Sequence, residues 1–203
     1  MPRRADPALR SLLVERAARM LAAREPVTLR ALVEGTGAST MAVYTHFGGM
    51  PGLWSAVRQE GFTRLAARLA AVPRTGDPVH DVAAHGVAYA RNALEAPELY
   101  RAMFDARADL ADAEAADATF QRLVDAVARA RDEGRLDPGT DPLALATRSW
   151  AAGHGLVSLV VQGVLPAAVL APQASATTVA LLTAAGDDPD RCRASVERAW
   201  AAG

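Results

Sequence analysis

Lysine is absent from this 203-residue chain: all 22 members of its Lys+Arg total are arginine. That absence excludes a Walker phosphate loop, a Schiff-base lysine and a Ser-x-x-Lys acyl-transfer site, each of which needs the amine. Cysteine is nearly absent too. Cys192 stands alone, with no disulfide partner and no metal-ligand neighbours in spacing, so it reads as an incidental thiol in a protein of the reducing cytoplasm. Aromatics make up only 5% of the residues and β-branched runs are scarce, while Ala, Leu and Arg abound, a balance that favours helix over strand. No Gly-x-Ser-x-Gly elbow, dinucleotide glycine fingerprint or acid pair in an apolar setting occurs, so an enzyme is not expected, nor a cofactor. Residues 1–10 also lack the apolar core of a signal peptide.

Charge is missing from a whole segment. Residues 149–186 contain no Asp, Glu, Lys or Arg, which raises the question of a membrane span. Pro166 and Pro172 interrupt the segment, and Gly153, His154, Gly155, Ser158 and Gln162 dilute its most apolar part, so the expectation is a buried helix that also meets a second subunit, with no membrane partner. The charges elsewhere are polarised. Residues 1–72 hold ten arginines against five acids, a net +5, and the remainder holds twelve against eighteen, a net -6. A basic module ahead of an acidic body suits a partner with phosphate charge at one end only; charge by itself leaves ordinary surface variation open.

With 51% apolar residues the chain can bury a sizeable core, and its punctuation is local. Asp-Pro recurs at Asp6-Pro7, Asp77-Pro78, Asp137-Pro138, Asp141-Pro142 and Asp188-Pro189. Aspartate caps free helical N–H groups and proline fits the first helical position, so several of these pairs are expected to mark helix starts. Apolar spacing through Leu9, Leu12, Leu13, Ala17, Met20 and Leu21 predicts a first helix over 7–24, ended by Pro26. Thr28 caps a short second helix that turns Leu29, Leu32 and Val33 inward; Gly35 and Gly37 break it, and Ser39 caps a third ending near Phe47. A fourth, longer helix is expected over 52–72, and the 73–78 stretch, rich in Pro and Gly, is the domain boundary. Further helices are expected over 78–95, 97–108, 112–134, 141–165, 172–185 and 188–201. The fold class is therefore all-α: an N-terminal three-helix domain (1–72) joined by its fourth helix to a larger helical domain (78–203).

Two short helices around a tight turn form a helix-turn-helix, whose second helix lies in the DNA major groove. Val43 and Phe47, one turn apart, anchor that helix and leave Thr40, Met41, Tyr44 and Thr45 facing outward, a set suited to phosphate and base-edge contacts. Thr28-Leu29-Arg30-Ala31-Leu32-Val33 followed by Gly37-Ala38-Ser39-Thr40-Met41-Ala42-Val43-Tyr44-Thr45-His46-Phe47 resembles the DNA-binding domain of the TetR family of bacterial transcription factors, strongly over residues 8–58. The segment around Trp150, His154 and Gly155 resembles a Trp-His-Gly motif found in some C-terminal domains of that family. The resemblance implies a homodimeric, ligand-responsive repressor of double-stranded operator DNA. Thr28 and Tyr44 would contact phosphates, Arg30 would reach bases or backbone, and Ser39, Thr40, Met41, Thr45 and His46 would line the interface. Two residues depart from the family pattern: Met41 stands where glycine is frequent, and Met50 where a lysine often contacts phosphate. Packing between helices stays open for Tyr44 and His46, and a solvated surface charge for Arg30.

His80 and His85 lie five apart, off the three- or four-residue spacing of ligands sharing a helical face, so no metal site is expected. Tyr89, Tyr100, Met103, Phe104, Phe120, Trp150 and His154 are the candidate effector-binding residues; ordinary core is the alternative for them. The dimer is expected to form through the helix around 150–165 and the last helix around 190–200. A helical scaffold without DNA function is the second hypothesis, and a salt-dependent DNA shift separates it from the first.

Overall fold

The computed structural model describes residues 6–104 and 114–202, and the regular structure of these residues is helical throughout. In chain order the helices are α1 (Pro7–Ala22), α2 (Leu29–Val33), α3 (Met41–Phe47), α4 (Met50–Ala70), α5 (Pro78–Glu95), α6 (Pro97–Met103), α7 (Glu114–Asp132), α8 (Pro142–Val161), α9 (Leu170–Ala184) and α10 (Pro189–Ala202), with a short 3-10 turn, Ala167–Val169, before α9. Four of the five Asp-Pro pairs start a helix. Asp6 accepts from Ala8 N at 3.0 Å, Asp77 from Val79 N and His80 N at 3.2 Å, Asp141 from Leu143 N at 2.9 Å, and Asp188 from Arg191 N at 2.8 Å. Each such cap is worth about 1 kcal/mol. Asp137-Pro138 instead opens a turn, closed by Thr140 N on the Asp137 carbonyl at 2.9 Å. The capping predicted for Ser39 also differs: α3 begins at Met41 with Thr40 as its cap, no side chain closes that end, and Ser39 supplies only its carbonyl, to Ala42 N. Helix α8 stops at Val161 instead of 165 because the chain turns left-handed at Gly163, and the part of the 97–108 helix beyond residue 104 lies outside the described residues.

Two compact units emerge. The first combines Met1–Arg64 with Ala96–Ala116. Its core gathers Val14, Ala17 and Met20 of α1, Leu32 of α2, Leu53 and Val57 of α4 and Leu99 of α6. Helix α6, which the 73–78 boundary does not associate with the N-terminal helices, is fastened to them: Arg24 bonds Glu98 at 3.2 Å and Arg58 Nε donates to the Met103 carbonyl at 2.8 Å.

The second unit combines Leu65–Glu95 with Asp117–Gly203. Helix α5 buries Val79, Val82, Ala83, Val87 and Ala90 at helical spacing, and joins Val127 and Ala130 of α7, Leu145 of α8, Leu182 of α9 and Val196 of α10 in one core. Helix α10 turns Cys192, Ser195, Val196 and Ala199 into that core and leaves Asp190, Arg191, Arg193, Glu197 and Arg198 outside. Its apolar stripe is thus spent within its own unit, and the last helix leaves a charged face outside. Nor is the charge-free segment uniformly buried. Val157, Val160 and Val161 face inward, but Trp150, Leu159 and Val164 are exposed, and α9 is largely half-buried, with only Leu170 and Leu182 fully inside. The Ala167–Ala184 stretch is long and apolar enough to cross a membrane, at mean hydropathy 1.4, yet one such helix, interrupted by Pro172, does not indicate a membrane protein.

A buried polar network ties the start of α5 to α7 and α10. Arg135 donates to both carboxylate oxygens of Asp187, at 2.9 and 2.8 Å, and to Asp77 at 2.6 Å, which also accepts from Ser195 Oγ at 2.6 Å and Arg198 at 2.6 Å. Asp81 accepts from Thr75 N at 2.8 Å, Thr75 Oγ1 at 2.6 Å and Arg129 at 2.5 Å. His80 and His85 are absorbed here as well, on the carboxylate and the carbonyl of Asp81. Burial, together with the negative charge of Asp187, raises the Cys192 thiol to about 11, so it stays protonated and unreactive near neutral pH.

Candidate functional site

The helix-turn-helix is built by local bonds and anchored by a few apolar side chains. Thr28 Oγ1 accepts from Ala31 N at 3.2 Å and so starts α2; its own proton stays available for an outside acceptor such as a phosphate. The turn passes through Gly35 and Gly37 at φ of 70° and 72°, a region costly for any residue with a Cβ. Thr36 closes it with Oγ1 on the Val33 carbonyl at 2.7 Å, and Arg16 reaches across from α1 to the Glu34 carbonyl at 2.5 Å. Arg16 was not singled out in the sequence; its side chain acts eighteen residues away, beyond any spacing rule.

Leu32 and Val43 are fully buried, so α2 and α3 each present one face to the core. The opposite face of α3 is open. Thr40 and Thr45 are exposed, Met41 is 64% exposed and Tyr44 50% exposed. The Tyr44 ring rests against the turn after α3: a Cβ on Gly49 would stand 3.5 Å from Tyr44 Cε1. Thr45 Oγ1 donates to the Met41 carbonyl at 3.0 Å. His46 is half-buried with its ring 6.1 Å from that of Phe47, and the Arg10 guanidinium lies 5.4 Å over the Phe47 ring. Ser39 and Arg30 are exposed. The structure therefore gathers Ser39, Thr40, Met41, Tyr44 and Thr45 on the open side of one short helix and its lead-in, with Arg30 and Thr28 on the neighbouring one.

The seven candidate effector residues fall into two groups. Tyr100 and Met103 are buried in the first unit, where the Tyr100 and Phe104 rings meet at 5.1 Å and Phe104 stands edge-on to Phe62 at 5.8 Å. Tyr89, Phe120, Trp150 and His154 come together in the second. Trp150 stacks obliquely on His154 at 5.5 Å and meets Phe120 edge-on at 6.0 Å, while the Tyr89 hydroxyl lies 2.8 Å from His154 Nδ1. Burial holds the His154 pKa below its ordinary value, so the ring is neutral at pH 7 and offers one donor and one acceptor nitrogen. Ser158, one turn along α8, stands 3.4 Å from Nε2. Sequence reasoning passed over Ser158, although its four-residue spacing from His154 was legible.

A family model described as tetracyclin repressor-like, C-terminal domain, matches residues 82–184. No curated protein matches the chain in sequence. Solved structures of the same fold include a protein of unknown function from Rhodococcus sp. RHA1, 26% identical with a TM-score of 0.76, the match covering 92% of this chain and 100% of that one. RolR in complex with its ligand resorcinol is 18% identical with a TM-score of 0.67, over 94% of each chain. SmeT, the repressor of the Stenotrophomonas maltophilia multidrug efflux pump SmeDEF, is 22% identical with a TM-score of 0.61, over 86% of this chain and 89% of that one.

Proposed function

Because the chain belongs to the tetracyclin repressor-like family of transcriptional regulators, we propose that it is a sequence-specific repressor that binds operator DNA as a homodimer in the bacterial cytoplasm and releases it on binding a small molecule. Residues 1–72 form the DNA-binding module in this reading, and 78–203 the effector and dimerisation domain. One observation carries it: Thr40, Met41, Tyr44 and Thr45 stand exposed on a helix whose other face is locked in the core by Val43. Hydroxyls set beside an exposed methionine and tyrosine on one helix face are the mixture that phosphate and base-edge contacts use. The test is selection of bound duplexes from random DNA, followed by titration at several salt concentrations. A pseudo-palindromic site whose affinity falls steeply with salt is expected. Salt-independent or absent binding would favour the scaffold reading instead.

Tyr89, Phe120, Trp150 and His154 are the best effector contacts, because they set flat aromatic surfaces around the hydrogen-bonded Tyr89–His154 pair. A small, weakly polar molecule suits them, as resorcinol suits RolR. Helix α5 carries Tyr89, and α6 follows it directly in the chain, so this reading takes the α5–α6 connection as the route by which effector binding would reach the DNA-binding helices. A coupling of about 1–3 kcal/mol, roughly 5- to 150-fold in operator affinity, would be ordinary, and operator must weaken effector binding by the same factor. Calorimetric titration of a ligand found by thermal-shift screening, with and without operator, is expected to give that difference; equal affinities would mean that the cluster is no switch.

The uncharged helix around 150–165, where Leu159 is exposed, and the last helix around 190–200 supply the dimer contact in this reading. Leu159 is 41% exposed whereas its neighbour Val160 is buried, so the two separate association from folding. Leu159→Arg is expected to give a folded monomer by sedimentation, because an unpaired charge would be buried between subunits, whereas Val160→Arg unfolds the domain. A dimeric Leu159→Arg protein would move the interface elsewhere.

A further inference from the structure

Base recognition in the major groove has a short chemical vocabulary. Arg or Lys reads guanine, Asn or Gln reads adenine, and an acid accepts from cytosine, while thymine alone carries an apolar group, its C5 methyl. Residues 35–49, which hold the turn and all of α3, contain no Arg, Lys, Asn, Gln, Asp or Glu. What they expose instead is Ser39, Thr40, Met41, Tyr44 and Thr45. Met41 is wholly apolar and the most exposed large side chain of the helix, at 64%. One turn later Thr45 commits its hydroxyl proton to the Met41 carbonyl, at 3.0 Å, so a base edge can find there only a methyl group and an acceptor lone pair. The two share a face at four-residue spacing, fixed by buried Val43 on the other side.

Resting on the DNA-binding reading above, we infer that α3 reads its half-site through thymine methyl groups, with Met41 and Thr45 as the specificity-determining residues and no bidentate polar reader on the helix. Met41 is unbranched and polarisable, so it can seat itself against a methyl group in a groove of varying width. Thr40 and Tyr44, which flank it, keep hydroxyls suited to phosphates, and polar base reading is left to Arg30 on α2. The half-site is therefore specified by T·A steps where it faces α3.

Replacing single thymines of the selected operator by deoxyuridine removes the C5 methyl and leaves pairing and O4 intact. Binding of the full-length protein to these duplexes, followed by fluorescence anisotropy at fixed salt, is expected to weaken about fourfold for each contacted methyl, the weight of one buried methyl group. Met41→Ala should bind thymine and deoxyuridine duplexes alike at one position, and Thr45→Ser, which keeps the hydroxyl, should do so at its neighbour. Both side chains are exposed, so circular dichroism should report unchanged helicity. A wild-type protein indifferent to every deoxyuridine substitution, or a selected half-site with G·C pairs opposite α3, overturns the inference while leaving DNA binding standing. Failure to enrich any duplex overturns the DNA-binding reading itself.

Discussion

Arg135→Met is expected to destabilise the second unit by about 3–5 kcal/mol, because it leaves the Asp187 carboxylate buried without its counter-charge. Both side chains of that pair are 2% exposed, so solvent cannot take over the missing bonds. Asp77 loses one of its donors in the same step but keeps Ser195 and Arg198. Urea denaturation followed at 222 nm measures the loss, and a change below about 1 kcal/mol would mean that the pair contributes no more than an exposed one. The double variant Arg135→Met/Asp187→Leu sharpens the test: removing both charges should recover much of the stability, since an apolar pair of similar volume avoids the desolvation penalty. The same network sets an acid dependence. Burial works against the charge of Asp77 and of Asp81, but hydrogen bonds from Ser195 and the His80 amide to the first, and from Thr75 and Arg129 to the second, outweigh it and hold both carboxyls below the usual aspartate range. A depressed folded pKa adds stability above the unfolded value and loses it as pH falls through the folded one. The urea midpoint should thus be flat near neutrality and fall progressively below about pH 4.

Tyr44→Ala is expected to lower operator affinity roughly 5- to 150-fold, the weight of about 1–3 kcal/mol for one good contact, while helicity and dimerisation stay as they are. The ring rests on the turn at Gly49 and half its surface is open, so removing it leaves the core anchored by Val43, Leu32 and Leu53 untouched. Tyr44→Phe separates the two parts of the side chain. If the hydroxyl bonds a phosphate, Phe should recover little affinity and should leave the salt dependence as it is, since a neutral hydroxyl releases no counterion. Unchanged affinity in Tyr44→Ala would remove the residue from the interface. Thr28 is a poorer test position, since its hydroxyl also caps α2 and an alanine there would weaken the helix start and any phosphate contact together.

What could be read from the chain directly is what local chemistry controls. The helical class follows from composition, and four helix starts follow from Asp-Pro pairs because capping needs only residues two or three positions apart. Glycines two apart bend the turn at 35–37, and the three- and four-residue spacing of Val43 and Phe47 against Met41, Tyr44 and Thr45 assigns the two sides of α3 without any knowledge of what packs there. Tertiary structure decided which apolar stripe meets which. Cys192, Val196 and Ala199 stand at three- and four-residue spacing on the last helix, and the structure seats them in the core beside α5 and α9. Tyr100, Met103 and Phe104 looked of one kind with Tyr89 and Trp150, yet α6 packs among the N-terminal helices and separates them. The ion pairs joining Arg135 to Asp187 and Asp77 span 52 and 58 residues. Apolar attraction has no direction and any stripe of suitable width satisfies it, so pairing between distant helices is settled by the shape and charge of the whole assembled unit, whereas a capping hydrogen bond or a left-handed glycine is settled where it stands.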